Sequence, residues 1–339
     1  MTPFFTFSDA ERAQLSALFG AIGLSPYTDY PAFKRRVADR IADGALPAFF
    51  IQLCDRIAAE RAEGRRIQVL KNCPVDRDLP ELSLEEPLAD KYRAKRSFVG
   101  ETFLEAFAHV LGNPLLAYQT RSNGDFFTDV VSIKRFQGKR TGFTDGDLIY
   151  HNDRTCHAVR ADFITLLGLR CPTDDLVYTT YVDGADILAQ LRPEHRQALE
   201  QHWYATEVDD MTRESNPDWN RSDAHAIVLA DQSLRFQDTL TKPVKGAPPL
   251  ALEALLEFKD AITKSTKHRH RLENGDLLLF ANQHGLHNRE RIEVNHPNDT
   301  AKRWLLKTYS FKDRASADAH AAYWADGVYG NAHDGRAAA

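Results

Sequence analysis

From about Leu115 onward the apolar residues change period, and that change excludes most folds open to a chain of 339 residues. Before it they recur at helical spacing. "SDAERAQLSALFGAIG" opens on a Ser/Asp cap, "YPAFKRRVADRIADGALPAFFIQLCDRIAAERAEG" predicts two helices broken near "DGALP", and "SFVGETFLEAFAHVLG" predicts a helix ending at a glycine. A single strand, "RIQVLKNCP", lies among them. After the change come short β-branched or aromatic runs bounded by Gly, Asp, Asn or Pro: "LLAYQT", "FTDVVSIKRF", "DLIYH", "FITLLGLR", "LVYTTYVDG", "HAIVLA", "LRFQD", "GDLLLFANQH" and "RWLLKTYSF". Helices interrupt them at "ADILAQLRPEHRQALEQHW" and "PLALEALLEFKDAITKST". A doubly wound nucleotide fold would need βαβ alternation and a glycine-rich phosphate loop. The glycines between Gly138 and Gly146 have neither the spacing nor the following helix. The pattern predicts an α+β chain with a β-sandwich or jelly-roll core, helices packed outside it, and a mainly helical N-terminal region over 1–112. Without repeats or a low-complexity linker, a single domain over 1–339 is expected. Its core spans 113–313, a helical lid insert lies at about 184–265, and 314–339 forms a tail whose "NAHDGRAAA" reads as frayed.

The net charge of -5 gives no global basic field for nucleic acid, and the basic clusters "FKRR", "EGRR" and "YRAKR" sit among acids as solvated helix faces would. No run approaches the roughly 20 apolar residues of a membrane span. The start "MTPFFTFSDAERAQL" lacks the basic region and sustained apolar stretch of a signal peptide. Cys54, Cys73, Cys156 and Cys171 show no CxxC spacing, so reduced, buried thiols and a cytoplasmic setting are expected.

Chemistry concentrates in "DLIYHNDRTCH". Side chains at i and i+2 of an extended segment point the same way, so His151 and Asp153 present an imidazole and a carboxylate from one face. A polar turn ending a strand would look the same, so a further ligand must be found elsewhere. The strand "NGDLLLFANQHGLHNRE" offers His284 and His287 after an apolar run that Gly275 and Asp276 begin with a turn. Two imidazoles and one carboxylate on one face of a metal leave open positions, as in non-haem Fe(II) oxygenases. Arg303, at the start of the next strand, is suited to gripping a carboxylate with two parallel hydrogen bonds. A zinc or manganese hydrolase could use the same three ligands but has no need of Arg303, and a jelly-roll binding module would hold the histidines as satisfied core residues.

Together "YHNDRTCHAVRADFITLLGLR", "LVYTTYVDG", "NGDLLLFANQHGLHNRERI" and "RWLLKTYSF" resemble the clavaminate synthase-like, TauD/TfdA-type branch of the Fe(II)/2-oxoglutarate-dependent oxygenases, over roughly Leu115 to Asp313. Within that branch the chain is most similar to hydroxylases of free amino acids, and "YHND" resembles the free L-lysine hydroxylases. The resemblance implies a double-stranded β-helix with Fe(II), 2-oxoglutarate and O2 as cofactor and co-substrates. It makes His151, Asp153 and His287 the iron ligands, His287 being preferred because Asn282 sets the family's five-residue lead to it. His284 then lines the strand end, and His157 falls outside the site. Arg303 matches the arginine that grips the distal carboxylate of 2-oxoglutarate, and Thr179, ahead of Thr180, matches a threonine that assists it. Related halogenases replace the carboxylate ligand with a small residue, so Asp153 implies hydroxylation.

For the amino acid, Arg96 and Lys307 are candidates for its carboxylate, although Lys307 replaces an arginine and loses the planar fork. Gln119 and Asp129 are candidates for the α-amine, and Asp238 for a basic side-chain end. The expected substrate is L-lysine, with C4 ahead of C3, and the alternatives are arginine, ornithine, asparagine or a carrier-bound amino acid. No nucleic-acid or membrane partner is expected, and a homodimer or homotetramer stays open.

Overall fold

The computed structural model describes residues 1–136, 147–173, 175–294 and 302–333. Its strands are β1 (Phe5–Thr6), β2 (Ile67–Lys71), β3 (Leu115–Tyr118), β4 (Thr128–Val131), β5 (Leu148–His151), β6 (Phe163–Arg170), β7 (Asp175–Asp183), β8 (Tyr204–Thr206), β9 (Thr241–Pro243), β10 (His268–His270), β11 (Leu277–Ala281), β12 (Gly285–Val294), β13 (Trp304–Ser310) and β14 (Asn331–Ala332). The helices are α1 (Asp9–Gly20), α2 (Tyr30–Ala42), α3 (Ala48–Ala62), α4 (Pro87–Ala94), α5 (Val99–Val110), α6 (Gly184–Leu188), α7 (Pro193–Leu199), α8 (Asp210–Ser215), α9 (Pro249–Lys264) and α10 (Arg314–Asp318). The glycine-containing stretch from Gly138 to Gly146 lies outside the described residues.

Two sheets organise these elements. The larger runs β1-β2-β11-β6-β13-β3-β14, with β4 also pairing β13, and the smaller runs β10-β7-β12-β5. Both are antiparallel except where β1 meets β2 and β14 meets β3. The period of two along β13 explains how one strand serves two environments. Trp304 and Leu306 join the core beneath the helical layer, while Leu305 and Tyr309 join the core on the other face.

The helical layer follows the sequence pattern closely. Ser8 and Glu11 form a reciprocal capping box at α1. The break between α2 and α3 falls at residues 43–47, and Gly112, at φ 66°, turns the chain after α5. α5 is buried almost all round because α1, α2 and α3 pack on it while its other side meets the large sheet. Gly100 allows that approach: a Cβ there would sit 3.1 Å from Leu169.

Four expectations are corrected. "HAIVLA" and "LRFQD" form no strands; they meet their neighbours through single bridges, and Ile227, Val228, Leu234 and Phe236 instead fill the apolar core of the insert with α6, α7 and α9. The run from Asn274 to Glu290 is two strands with a turn at 282–284 between them. "YRAKR" is not wholly a solvated face, because Lys95, which follows the last residue of α4, is buried against Asp76 and Glu101. The supposed frayed end begins with β14 paired to β3, and 334–339 lie outside the described residues. The four cysteines are free and buried. Among the described residues no helix is long and apolar enough to cross a membrane.

Candidate metal centre and its cavity

The metal candidates meet because of strand register. β5 pairs antiparallel with β12 so that His151 lies directly opposite His287, and their rings sit 4.3 Å apart between centroids. Asp153 follows β5 in a turn that continues through Arg154, at φ 63° in the left-handed region an arginine seldom adopts. This turn brings Asp153 Oδ1 to 3.1 Å from His151 Nε2 and 3.5 Å from His287 Nε2. One ligand atom from each of the three residues lies within 4.8 Å of the other two.

The donor set suits a divalent cation. His151 Nδ1 lies 2.7 Å from the Ile149 carbonyl, which can only accept, so Nδ1 carries the proton and Nε2 keeps its lone pair. Burial and the neighbouring His151 push His287 down to about 4, which leaves it neutral at pH 7. Burial alone would raise Asp153, but the neighbouring Lys307 ammonium outweighs it and holds the carboxyl well below its ordinary range. Two imidazole nitrogens and a carboxylate oxygen therefore converge on one place, a donor set suited to a divalent cation. The other oxygen, Oδ2, accepts from Lys307 Nζ at 2.9 Å and Tyr309 Oη at 2.7 Å.

These residues form part of the wall of a cavity between the two sheets. Leu305, Lys307 and Tyr309 of β13 face it from the large sheet, and Thr179 of β7 with His287 and Arg289 of β12 face it from the small one. Arg303 also lines it. Thr180 points to the opposite face, where its hydroxyl donates to Glu290 at 2.6 Å.

The substrate candidates divide. Lys307 and Asp129 line the cavity but already have partners: Asp129 accepts from Lys91 Nζ at 2.6 Å and from Trp304 Nε1 at 2.7 Å. Gln119 is exposed and donates to Asp326; Asp238 pairs with Lys259 at 2.7 Å; Arg96 is exposed and donates to the carbonyls of Arg93 and Lys95, finishing α4. None of these three lines the cavity. His284 sits in the turn before β12, off the cavity, while His157 stands outside the ligand triad but within the cavity wall, its ring 5.0 Å from Trp219.

Several wall residues escaped the sequence reading. Arg289 and Tyr309 were within its reach, since each stands two residues beyond a recognised residue on the same strand face. Arg121, Arg154, Asp209 and Gln237 come from loops, where no periodicity signals direction. Asp209 accepts from Arg121 Nη2 at 2.7 Å and from the Thr212 hydroxyl at 2.8 Å. Burial would raise its carboxyl, but the Arg121 charge holds it well below the ordinary range.

Residues 96–309 match the model of the taurine catabolism dioxygenase TauD, TfdA family. The chain belongs to this family. As a TauD/TfdA-family member it is an Fe(II)- and 2-oxoglutarate-dependent dioxygenase that uses O2. Among curated family relatives, it is 29% identical over 253 residues to the L-asparagine oxygenase of Streptomyces coelicolor, covering 72% of this chain and 71% of that one. Over 107 residues it is 31% identical to the enduracididine beta-hydroxylase of Streptomyces hygroscopicus, covering 31% and 30%. The asparagine oxygenase structure with Fe(II), 3-hydroxyasparagine and succinate is 22% identical and superposes with a TM-score of 0.79 over 98% of this chain and 99% of that one. The non-heme iron oxygenase OrfP with (3S)-hydroxy-L-Arg gives 0.78 at 18% identity over 98% and 100%. This TauD/TfdA-family chain thus shares their mixed α/β fold with several antiparallel sheets.

Proposed function

We propose that the protein hydroxylates a free amino acid at an aliphatic carbon, with Fe(II) held by His151, Asp153 and His287 and 2-oxoglutarate held by Arg303 and Thr179. The observation that carries this reading is the convergence of the three metal donors beside a cavity that Arg303 and Thr179 also line. The two sheets flanking that cavity fit a double-stranded β-helix. When bound, Fe(II) supplies O2 activation coupled to the decarboxylation of 2-oxoglutarate to succinate and CO2, leading to insertion of one oxygen atom into a C–H bond.

The chain's own residues would do the rest by positioning. Arg303 presents a planar fork to the distal carboxylate of 2-oxoglutarate, and the Thr179 hydroxyl adds a third donor. Lys307 and Tyr309 occupy Asp153 Oδ2, which leaves Oδ1 as the metal-facing oxygen. Asp153 fills the position a halide would need, which favours hydroxylation over halogenation.

Named relatives act on asparagine and enduracididine, and OrfP holds a hydroxylated arginine, so amino acids with a polar or cationic side chain are the class this reading favours. Lysine, expected from the "YHND" form, stays within that class. Asp238, expected to receive its ammonium, pairs with Lys259 instead; the acids in the cavity wall besides Asp153 are Asp129 and Asp209, which pair with Lys91 and Arg121. Which carbon reacts, C4 or C3, depends on which one the wall holds over the metal.

The test is a screen of free amino acids with Fe(II), 2-oxoglutarate and O2. Succinate release together with a mass gain of one oxygen atom is expected for lysine, arginine, ornithine or asparagine, and NMR of the product assigns the carbon. If no free amino acid gains oxygen while a carrier-bound one does, the free-substrate reading fails.

A further inference from the structure

The turn that carries Asp153 and the turn that precedes His287 are held together by two buried side-chain amides 130 residues apart. Asn152 is 1% exposed and Asn282 is 0% exposed. Asn282 Oδ1 accepts from the Asp153 amide at 2.8 Å, and its Nδ2 donates to the carbonyls of Asp153 at 3.2 Å and Ala161 at 3.0 Å. Asn152 answers in the other direction. Its Nδ2 donates to the carbonyls of Asn282 at 2.5 Å and Gly285 at 2.8 Å, and its Oδ1 accepts from the Phe236 amide at 2.9 Å.

Six hydrogen bonds from two side chains therefore all end on main chain. That pattern fixes backbone position and leaves no amide proton of either residue for a ligand. Its targets are specific. Asn282 holds Asp153 by both its N–H and its C=O, just where the chain enters the left-handed conformation of Arg154. Asn152 holds Gly285, the first residue of β12, two positions before His287. Gly285 cannot be replaced by a larger residue to tighten the joint from within, since a Cβ there would lie 2.2 Å from the Tyr181 ring.

We infer that Asn152 and Asn282 are positioning residues, a two-amide clasp that holds the Asp153 turn against the start of the His287 strand and so sets the spacing of the metal donors. Neither touches the metal; both act through the backbone of the residues that do. The inference rests on the metal reading of the triad.

Co(II) serves as the probe, titrated into metal-free wild type, Asn152→Ala, Asn282→Ala and Phe50→Leu, a control that destabilises the helical layer far from the centre. Each Asn variant is expected to raise the Co(II) Kd by roughly 10- to 100-fold, the usual cost of losing a hydrogen-bond partner of a ligand, and to alter the d–d absorption band. Phe50→Leu should lower the melting temperature yet keep both the Kd and the band. The double Asn variant should bind little worse than either single one, because one clasp is broken once. A folded Asn variant with wild-type Kd and band would overturn the clasp. Should the alanine variants not fold, Asn152→Ser and Asn282→Ser decide by the same criterion. In metal-free wild type, the Asp153 amide should exchange as slowly as the amides of β12, and fast exchange there would also overturn it. Wild type that fails to bind Co(II) would refute the metal reading instead.

Discussion

Two groups of buried charge, one in the helical layer and one in the cavity, use similar residues to opposite ends. In the helical layer, Lys95 Nζ donates to Asp76 at 2.9 Å, Glu101 at 2.8 Å and the Ser97 carbonyl at 2.7 Å, which uses all three of its protons. Asp76 accepts in addition from the amides of Val99 and Gly100, and Glu101 from the Tyr27 hydroxyl at 2.7 Å. That cluster is closed. In the cavity, Lys307 and Tyr309 saturate one oxygen of Asp153, while the other lies 3.1 Å and 3.5 Å from the Nε2 atoms of His151 and His287 and faces the cavity. A closed cluster is scaffold; surplus acceptor capacity aimed at a cavity marks a binding site.

The largest effect that would test this contrast is His287→Ala. Turnover should fall by more than the roughly 100-fold typical of losing a ligand's hydrogen-bond partner. The urea-unfolding free energy of the metal-free protein should stay within about 1 kcal/mol of wild type, since no buried charge is stranded. Loss of stability without loss of metal binding would invert the assignment of the open group. Lys95→Met does the reverse: it leaves Asp76 and Glu101 buried without their cation and should cost about 3–5 kcal/mol in urea unfolding, with an unchanged Co(II) Kd. If Lys95→Met proves neutral in stability, the closed cluster is not scaffold.

A smaller change separates 2-oxoglutarate capture from metal binding. Arg303→Lys keeps the charge but loses the two-bond grip, so the KM for 2-oxoglutarate should rise by about tenfold while the Co(II) Kd is unchanged. A further test concerns a third buried group, His225 in the insert, whose ring lies 2.9 Å from the Thr206 hydroxyl. Burial and the Arg235 charge push it down from 6.5 to about 3. The unfolded chain therefore binds this proton first as the pH falls. The contribution is complete above about pH 6.5 and is lost on acidification toward about pH 3, with a limiting slope of about 1.4 kcal/mol per pH unit. His225→Gln should flatten the stability profile over that window in urea titrations, and an unchanged slope would show that His225 is not what sets it.

The His151 and Asp153 pair was readable because the period of two carries direction, whereas the choice of His287 over His284 and the naming of Thr179 and Lys307 rested on the family resemblance. His151, Asp153, Thr179, His287, Arg303 and Lys307 all come from strands or strand ends, and all line the cavity. Of the residues expected at the substrate end, the strand-borne Asp129 and Lys307 line the cavity, whereas Gln119, Asp238 and Arg96, from loops and a helix terminus, do not. In a loop, one residue's shift in phase exchanges neighbours: Gln237 lines the cavity where Asp238 was expected. The mixed α/β character, helices first and antiparallel strands after, was legible from the change of period near Leu115. The helical insert was legible as helix, but "HAIVLA" and "LRFQD" carry strand-like composition because they fill an apolar core, and composition alone does not tell a buried bridge from a ladder.

The return of the insert to the core at Phe236 has a consequence for engineering. The Phe236 amide and carbonyl both bond to Asn152, the residue between His151 and Asp153, so this joint fastens the insert to the candidate centre. Transplanting a relative's insert to change amino acid preference should therefore restore Leu234–Gln237 of this chain within the foreign segment, or end that segment upstream of Leu234. A chimera whose foreign segment runs through Leu234–Gln237 would bring a foreign joint to Asn152 and confound selectivity with metal occupancy.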